Sequence, residues 1–136
     1  MNKRRILILD DSRVTLRMLI KALRNEGYDA RGTADLNTFG RLLQEFSPEL
    51  ILLDLKMPTM EGDMVCKELK DEFPDQDIPI IMMSGLAEGE LDQRSREAGA
   101  DGYISKKEGF RAFVAKLDRY LNRGAKSGAK SSLKAV

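Results

Sequence analysis

The run Ile51-Leu52-Leu53-Asp54-Leu55-Lys56-Met57-Pro58 carries three aliphatic residues into a lone aspartate and then breaks at a proline. Nothing polar alternates with Ile51, Leu52 and Leu53, so the segment reads as a strand covered on both faces, the pattern of a central strand in a parallel sheet. Asp54 falls where that strand ends. Pro58, with no N–H and a fixed φ, stops any continuation. One carboxylate is thereby delivered to the carboxyl edge of a sheet, which is where open α/β folds bind ligands.

The same grammar recurs along the chain. Ile6 to Leu9 is all apolar and ends in Asp10-Asp11; Ser12 can cap the helix that follows, on which Leu16, Leu19, Ile20 and Leu23 form one stripe. Gly27 suits a left-handed cap. Tyr28 to Thr33 is short and interrupted by charge, as at a sheet edge. Asp35 can cap a second helix carrying Leu36, Phe39, Leu43 and Phe46, which Ser47-Pro48 closes. After the Asp54 strand, Glu61 to Phe73 reads as a helix with Val65, Cys66 and Leu69 inward, and residues 74–79 as a loop. Ile80 to Met83 runs into Ser84-Gly85. A helix over 88–98 has little apolar anchorage beyond Leu91 and Ala98, so its hold on the core is expected to be weak. Tyr103 to Ser105 is a fifth strand ending at Lys106, and Phe110, Phe113, Val114, Leu117 and Leu121 mark a final amphipathic helix. Strand and helix alternate five times, which implies an α/β fold with a parallel sheet, right-handed crossovers and helices on both faces. From Gly124 onward Gly, Ala, Ser and Lys dominate, so residues 1–123 are expected to be one domain and 124–136 a flexible basic tail.

Composition removes several classes of function. Histidine is absent, which excludes Ser-His-Asp and Cys-His catalysis and histidine-ligated metal sites. A single cysteine, Cys66, allows no intrachain disulfide and no cysteine zinc cluster, and fits a reducing, cytoplasmic setting. The four apolar residues between Arg5 and Asp10 are too few for a signal peptide or a membrane span. The net charge is +1, but without Lys126, Lys130 and Lys134 it is 20 basic residues against 22 acidic, or −2. Neither a nucleic acid nor a membrane is therefore expected as a partner.

In a parallel sheet all strand carboxyl ends share one edge, so Asp10, Asp11, Asp54, Ser84 and Lys106 should converge. Each residue alone has a plainer reading: Asp10 or Asp11 as a helix cap, Asp54 and Ser84 as turn residues, Lys106 as a solvated lysine. Together they ask for a chemistry. Converging carboxylates repel one another, and an oxygen-seeking divalent cation, Mg2+, relieves this. Asp54 can then act as a nucleophile towards phosphorus, forming an aspartyl phosphate, with the Lys106 ammonium and the Ser84 hydroxyl on the phosphoryl oxygens.

At these residues the chain closely resembles the receiver domain of bacterial two-component response regulators, of the single-domain, chemotaxis-regulator-like kind. The matching stretches are Ile8-Leu9-Asp10-Asp11-Ser12, Leu53-Asp54-Leu55-Lys56-Met57-Pro58 with Gly62, Pro79 to Gly85 and Gly99 to Lys106, within a resemblance covering about residues 5–121. The resemblance implies a flavodoxin-like, doubly wound (βα)5 fold with sheet order 2-1-3-4-5. It implies that Asp54 is phosphorylated by a sensor histidine kinase or histidine phosphotransfer protein. Asp11, Asp54 and the backbone carbonyl of Lys56 would bind Mg2+, with Asp10 acting mostly through water. Ser84 and Lys106 would contact the phosphoryl group. Ser84 and Tyr103 would form the switch that reshapes a surface for a downstream effector, taken here as residues 86–98, Tyr103 and the final helix.

The chain departs from that family in one respect. Lys107 stands where family members usually have a proline joined by a cis peptide, and since a non-proline cis bond costs about 3 kcal/mol a trans bond is expected. Lys106 is the better placed of the two lysines by spacing. Lys56 and Leu86, two positions beyond Asp54 and Ser84, are expected to slow loss of the phosphoryl group. A receiver fragment of a longer regulator with an output domain is the alternative reading. A small phosphohydrolase of the haloacid dehalogenase type is disfavoured, because such enzymes carry an acid where this chain has Lys56. A flavin-binding protein is disfavoured because Asp10-Asp11 would repel the cofactor phosphate.

Overall fold

A computed structural model of the chain describes residues 3–57, 60–73 and 77–135, with side chains described as far as Asn122 and not for Met60. The break expected at Pro58 and the first part of the 74–79 loop lie outside the described residues. The elements are β1 (Arg5–Leu9), α1 (Arg13–Asn25), β2 (Asp29–Thr33), α2 (Leu36–Phe46), β3 (Leu50–Asp54), β4 (Lys56–Met57), β5 (Met60–Glu61), α3 (Gly62–Glu72), β6 (Ile80–Ser84), α4 (Glu88–Ala98), β7 (Gly102–Ser105) and α5 (Phe110–Ala135).

Five strands form a parallel sheet in the order β2-β1-β3-β6-β7, which is the expected 2-1-3-4-5 once the short β4 and β5 are set aside. The charged segment Asp29–Thr33 takes an edge, where one side of the strand needs no partner. Alternate residues of the central strands feed two cores. Ile6, Ile8, Leu50, Leu52, Ile81 and Met83 pack with Leu16 and Leu23 of α1 and Phe113, Leu117 and Leu121 of α5. Leu7, Leu9, Ile51, Leu53, Ile80 and Met82 pack with Phe39 and Phe46 of α2, Val65 and Cys66 of α3 and Leu91 of α4. Two covered faces explain why these strands show no polar alternation.

Local chemistry sets the helix ends. Ser12 Oγ accepts the Thr15 N–H at 3.3 Å, and Asp35 Oδ2 accepts the Thr38 N–H at 2.8 Å, as the sequence predicts. That last bond holds the Asp35 carboxyl below the usual carboxylate range. Gly27 takes φ +98°, and Ser47 closes α2 at φ 52°.

Helix α4 buries only Leu91, Ser95 and Ala98, and Ala87 offers no side-chain cap. The weak apolar anchorage read from the sequence is what the packing displays. The Ser95 hydroxyl is buried with no hydrogen-bond partner among the described residues, which adds to the cost of holding α4 in place.

Two features differ from the sequence reading. Lys56–Met57 and Met60–Glu61 form a two-residue antiparallel pair, Lys56 against Glu61 and Met57 against Met60, where the sequence reading has no strand and begins the helix at Glu61. The backbone of α5 also stays helical to Ala135, beyond residue 123 where a flexible tail is expected. Ala and Lys favour that helix and Gly124 and Gly128 oppose it.

Candidate functional site

The strand register fixes how the candidate residues meet. Leu9 pairs with Leu53, Asp54 with Met83, and Ser84 with Ser105. Asp10, Asp54, Ser84 and Lys106 therefore leave four adjacent strands, β1, β3, β6 and β7, within two residues of the same level. Asp10 is fixed from two sides: its N–H donates to the Thr33 carbonyl at 3.2 Å, and its Oδ1 accepts the Ser12 N–H at 2.9 Å. Ser12, not Asp10 or Asp11, caps α1, so the capping reading of the acidic pair does not hold.

Asp10 is wholly buried, Asp54 is 5% exposed and Asp11 is half-buried, and one carboxylate oxygen from each lies within 4.8 Å of the others. A single cation reaches this group among the described residues. Lys106 Nζ lies 3.2 Å from Asp10 Oδ2 and 3.4 Å from Asp54 Oδ1. Burial pushes the Asp54 carboxyl up to about 7; the Lys106 ammonium opposes this, and the Asp10 charge adds to it. One ammonium does not balance three carboxyls. Clustered hard oxygen donors with surplus negative charge fit Mg2+, and Asp10, Asp11 and Asp54 are the side chains that could hold it.

Ser84 is buried at the end of β6, with its Oγ accepting the Leu86 N–H at 3.1 Å and its carbonyl accepting the Lys106 N–H at 2.8 Å. The main chain thus ties the hydroxyl-bearing and amine-bearing residues together. Lys107 is exposed, its N–H donating to Ser105 Oγ at 3.1 Å, so it is Lys106 whose amine enters the cluster. No peptide bond among the described residues is cis, in line with the trans Lys106–Lys107 bond expected.

Lys56 has an exposed side chain on β4. Leu86 is partly buried against the core beneath α2, α3 and α4. Tyr103 packs on that same core, and its hydroxyl donates to Glu88 Oε1 in the first turn of α4 at 3.4 Å. The expected switch residue is therefore joined to the helix expected to move.

Sequence reasoning missed how the segment after Asp54 is held. A Cβ on Gly62 would overlap the Asp54 carbonyl oxygen, so the start of α3 rests directly on the Asp54 main chain. Glu61 and Asp63 flank that glycine, and both pair with Arg94 of α4: Nη2 lies 2.9 Å from Glu61 Oε2 and 3.2 Å from Asp63 Oδ2. Two acids straddling a glycine are visible in the sequence; their partner on another helix is not.

Comparison with known proteins agrees with this geometry. Residues 6–118 match the response regulator receiver domain family. The chain is 34% identical over 133 residues to the "Probable transcriptional regulator ycf27" of Porphyridium aerugineum, and spans 98% of its own length but only 54% of that protein. Among solved structures, a CheY-like response regulator receiver domain protein from Methanospirillum hungatei superposes with a TM-score of 0.80 at 30% identity, covering 93% of this chain and 99% of that one. The signal receiver domain of a signal transduction histidine kinase from Syntrophus aciditrophicus gives 0.75 at 30% identity, covering 88% and 90%. No helix among the described residues is long and apolar enough to cross a membrane.

Proposed function

This chain belongs to the response regulator receiver domain family, and on that premise we propose that it is a phosphorylation-controlled binding module whose phosphoacceptor is Asp54. The observation that carries the reading is the buried Asp54 carboxylate at a strand end, beside two further carboxylates and within 3.4 Å of the Lys106 amine. The donor is a phosphohistidine on a sensor histidine kinase or a histidine phosphotransfer protein. An Asp54 carboxylate oxygen attacks phosphorus, the new O–P bond forms, the P–N bond to the donor imidazole breaks, and its electron pair returns to that nitrogen. The barrier is met mainly by positioning and charge neutralisation.

Asp11 and Asp54 with the Lys56 carbonyl, and Asp10 largely through water, would hold Mg2+, which when bound neutralises charge on the phosphoryl oxygens. Lys106 would neutralise a second phosphoryl oxygen, and the Ser84 hydroxyl would donate to a third. Ser84 would then give up its contact with the Leu86 N–H. Tyr103 would adjust with it and transmit the change to α4. The output is a changed surface over residues 86–98, Tyr103 and α5, read by a downstream effector protein. The module is a signalling device rather than an enzyme with a separate substrate, and it works in the cytoplasm.

A second reading is supported by relative length. Since the chain spans 54% of the Porphyridium regulator, the same domain can serve as the receiver half of a longer protein with an output domain. The phosphoacceptor chemistry is common to both readings.

Intact mass after incubation with acetyl phosphate and Mg2+ tests the proposal. One phosphoryl adduct is expected, dependent on Mg2+ and absent from Asp54→Ala. No adduct, and no beryllofluoride complex, would overturn the reading and leave an inert fold.

A further inference from the structure

Glu61 and Asp63 stand either side of Gly62, whose lack of a side chain lets α3 begin against the Asp54 carbonyl. The Gly62 N–H also donates to the Leu55 carbonyl at 2.9 Å, and Glu61 pairs with Lys56 across β4 and β5. Residues 56–57 and 60–63 thus fold together onto the phosphoacceptor's own main chain. Helix α4 shares a buried cluster with Met57 and Val65, and adds one ionic link to that unit, Arg94, whose side chain is only 23% exposed and holds both acids at once. Elsewhere α4 is held by three buried residues, one of them the unpartnered Ser95, and by the 3.4 Å Tyr103–Glu88 contact, with no side-chain cap. With Asp63 25% and Glu61 51% exposed, the two-acceptor pair contributes modestly to stability and mainly fixes how α4 sits against the residues after Asp54.

We propose that Arg94 is a positioning residue that couples the Asp54 site to α4, by clamping Glu61 and Asp63, which adjoin the strand pair carrying the Lys56 carbonyl, to the helix that carries the output surface. Any change in the main chain after Asp54 moves Glu61 and Asp63, and through Arg94 shifts the population of α4. By reciprocity, whatever captures α4 steadies the segment beside Asp54. This route is separate from the one through Ser84 and Tyr103, because it leaves the site through the residues that follow Asp54 and not through β6 or β7. The assignment rests on the phosphoacceptor reading only for what occupies the site; the clamp itself is a feature of the resting protein.

The test is amide hydrogen exchange on the whole chain, as wild type, Arg94→Gln and Arg94→Lys, each with and without Mg2+ plus beryllofluoride. In the resting state Arg94→Gln should raise exchange three- to tenfold in both 56–63 and 88–98, leave β1 and β3 unchanged, and be largely reversed by Arg94→Lys. Filling the site should alter exchange in 88–98 in wild type and at most half as much in Arg94→Gln. The double variant Glu61→Gln, Asp63→Asn should reproduce the Arg94→Gln pattern, and it decides the matter should Arg94→Gln fail to fold. Exchange raised in 88–98 alone, with 56–63 unmoved, would reduce Arg94 to a local brace of α4 and overturn the proposal. So would an undiminished α4 response to the filled site. If wild type takes up no beryllofluoride, the phosphoacceptor reading falls, while the resting-state comparison still decides the clamp.

Discussion

The amine of Lys106 stands 3.4 Å from the Asp54 carboxylate, delivered from β7 across the intervening β6. It is the one cation in contact with a group of three carboxyls among the described residues, so it opposes the upward push that burial exerts on Asp54. Replacing it by Lys106→Met should move the Asp54 carboxyl above 7, read by carbon NMR titration of labelled aspartate. Phosphorylation by acetyl phosphate should slow by roughly 10²-fold, the usual effect of losing one donor aimed at developing charge. A Lys107→Met variant should do neither, since that side chain lies outside the cluster.

The same titration carries a signed consequence for stability. The Asp54 carboxyl sits at about 7 in the folded chain, against 3.8 ordinarily, so the folded state holds the proton more tightly than the unfolded state. Stability from this group is complete below about 4 and is lost as pH rises through 7. Asp54→Asn keeps the shape and removes the charge. Without divalent cation its melting temperature should match wild type near pH 4.5 and exceed it by roughly 5 °C at pH 8. Mg2+ should narrow the gap at pH 8, because it binds the ionised wild type better than the amide. An equal gain at both pH values would show that burial of charge is not the cause.

Much of this site was legible because parallel sheets convert sequence position into place. Ile6–Leu9, Ile51–Leu53 and Ile80–Met83 are apolar without alternation, which makes them central strands, and the residue after each falls on one edge. What was not legible depends on side chains meeting across elements. Nothing near Arg94 in the sequence marks Glu61 and Asp63 as its partners, and the Tyr103–Glu88 contact is equally silent. The β4–β5 pair has two residues a side, too short to carry any period. Spacing in the sequence favours Lys106 over Lys107, and the turn geometry, with the Lys107 side chain exposed and the Lys106 amine in the cluster, agrees.

Two glycines on helices make opposite predictions. Gly62 abuts the Asp54 carbonyl, whereas a Cβ on Gly40, in the middle of α2, would meet nothing within 4 Å. Gly40→Ala should stabilise by about 0.5–1 kcal/mol through helix propensity alone. Gly62→Ala should destabilise by about 1–3 kcal/mol, the cost of overpacking against backbone, and weaken Mg2+ binding by displacing the segment after Asp54. Urea unfolding of both variants, with calorimetric Mg2+ titration of the second, checks this; a stabilised Gly62→Ala would contradict the close approach.

The lifetime of the phosphoryl group should depend on Leu86 more than on Lys56. The Leu86 side chain is partly buried against the core beneath α2, α3 and α4, and its N–H fixes the Ser84 hydroxyl at 3.1 Å. Leu86 lies two residues beyond Ser84 at the end of β6, and an apolar side chain there is expected to keep water from an aspartyl phosphate on Asp54. Lys56 is exposed on β4, and its long stem can swing away, so it shields only when its amine pairs with the phosphoryl group. Leu86→Ala should therefore hasten hydrolysis by roughly three- to tenfold and Lys56→Ala by about twofold or less, since exclusion of water is what protects a reactive intermediate. Decay of the phosphoryl mass adduct after removal of acetyl phosphate measures both. An unchanged lifetime in the double variant would place the barrier to water elsewhere, in the cluster of Asp10, Asp11 and Lys106 itself.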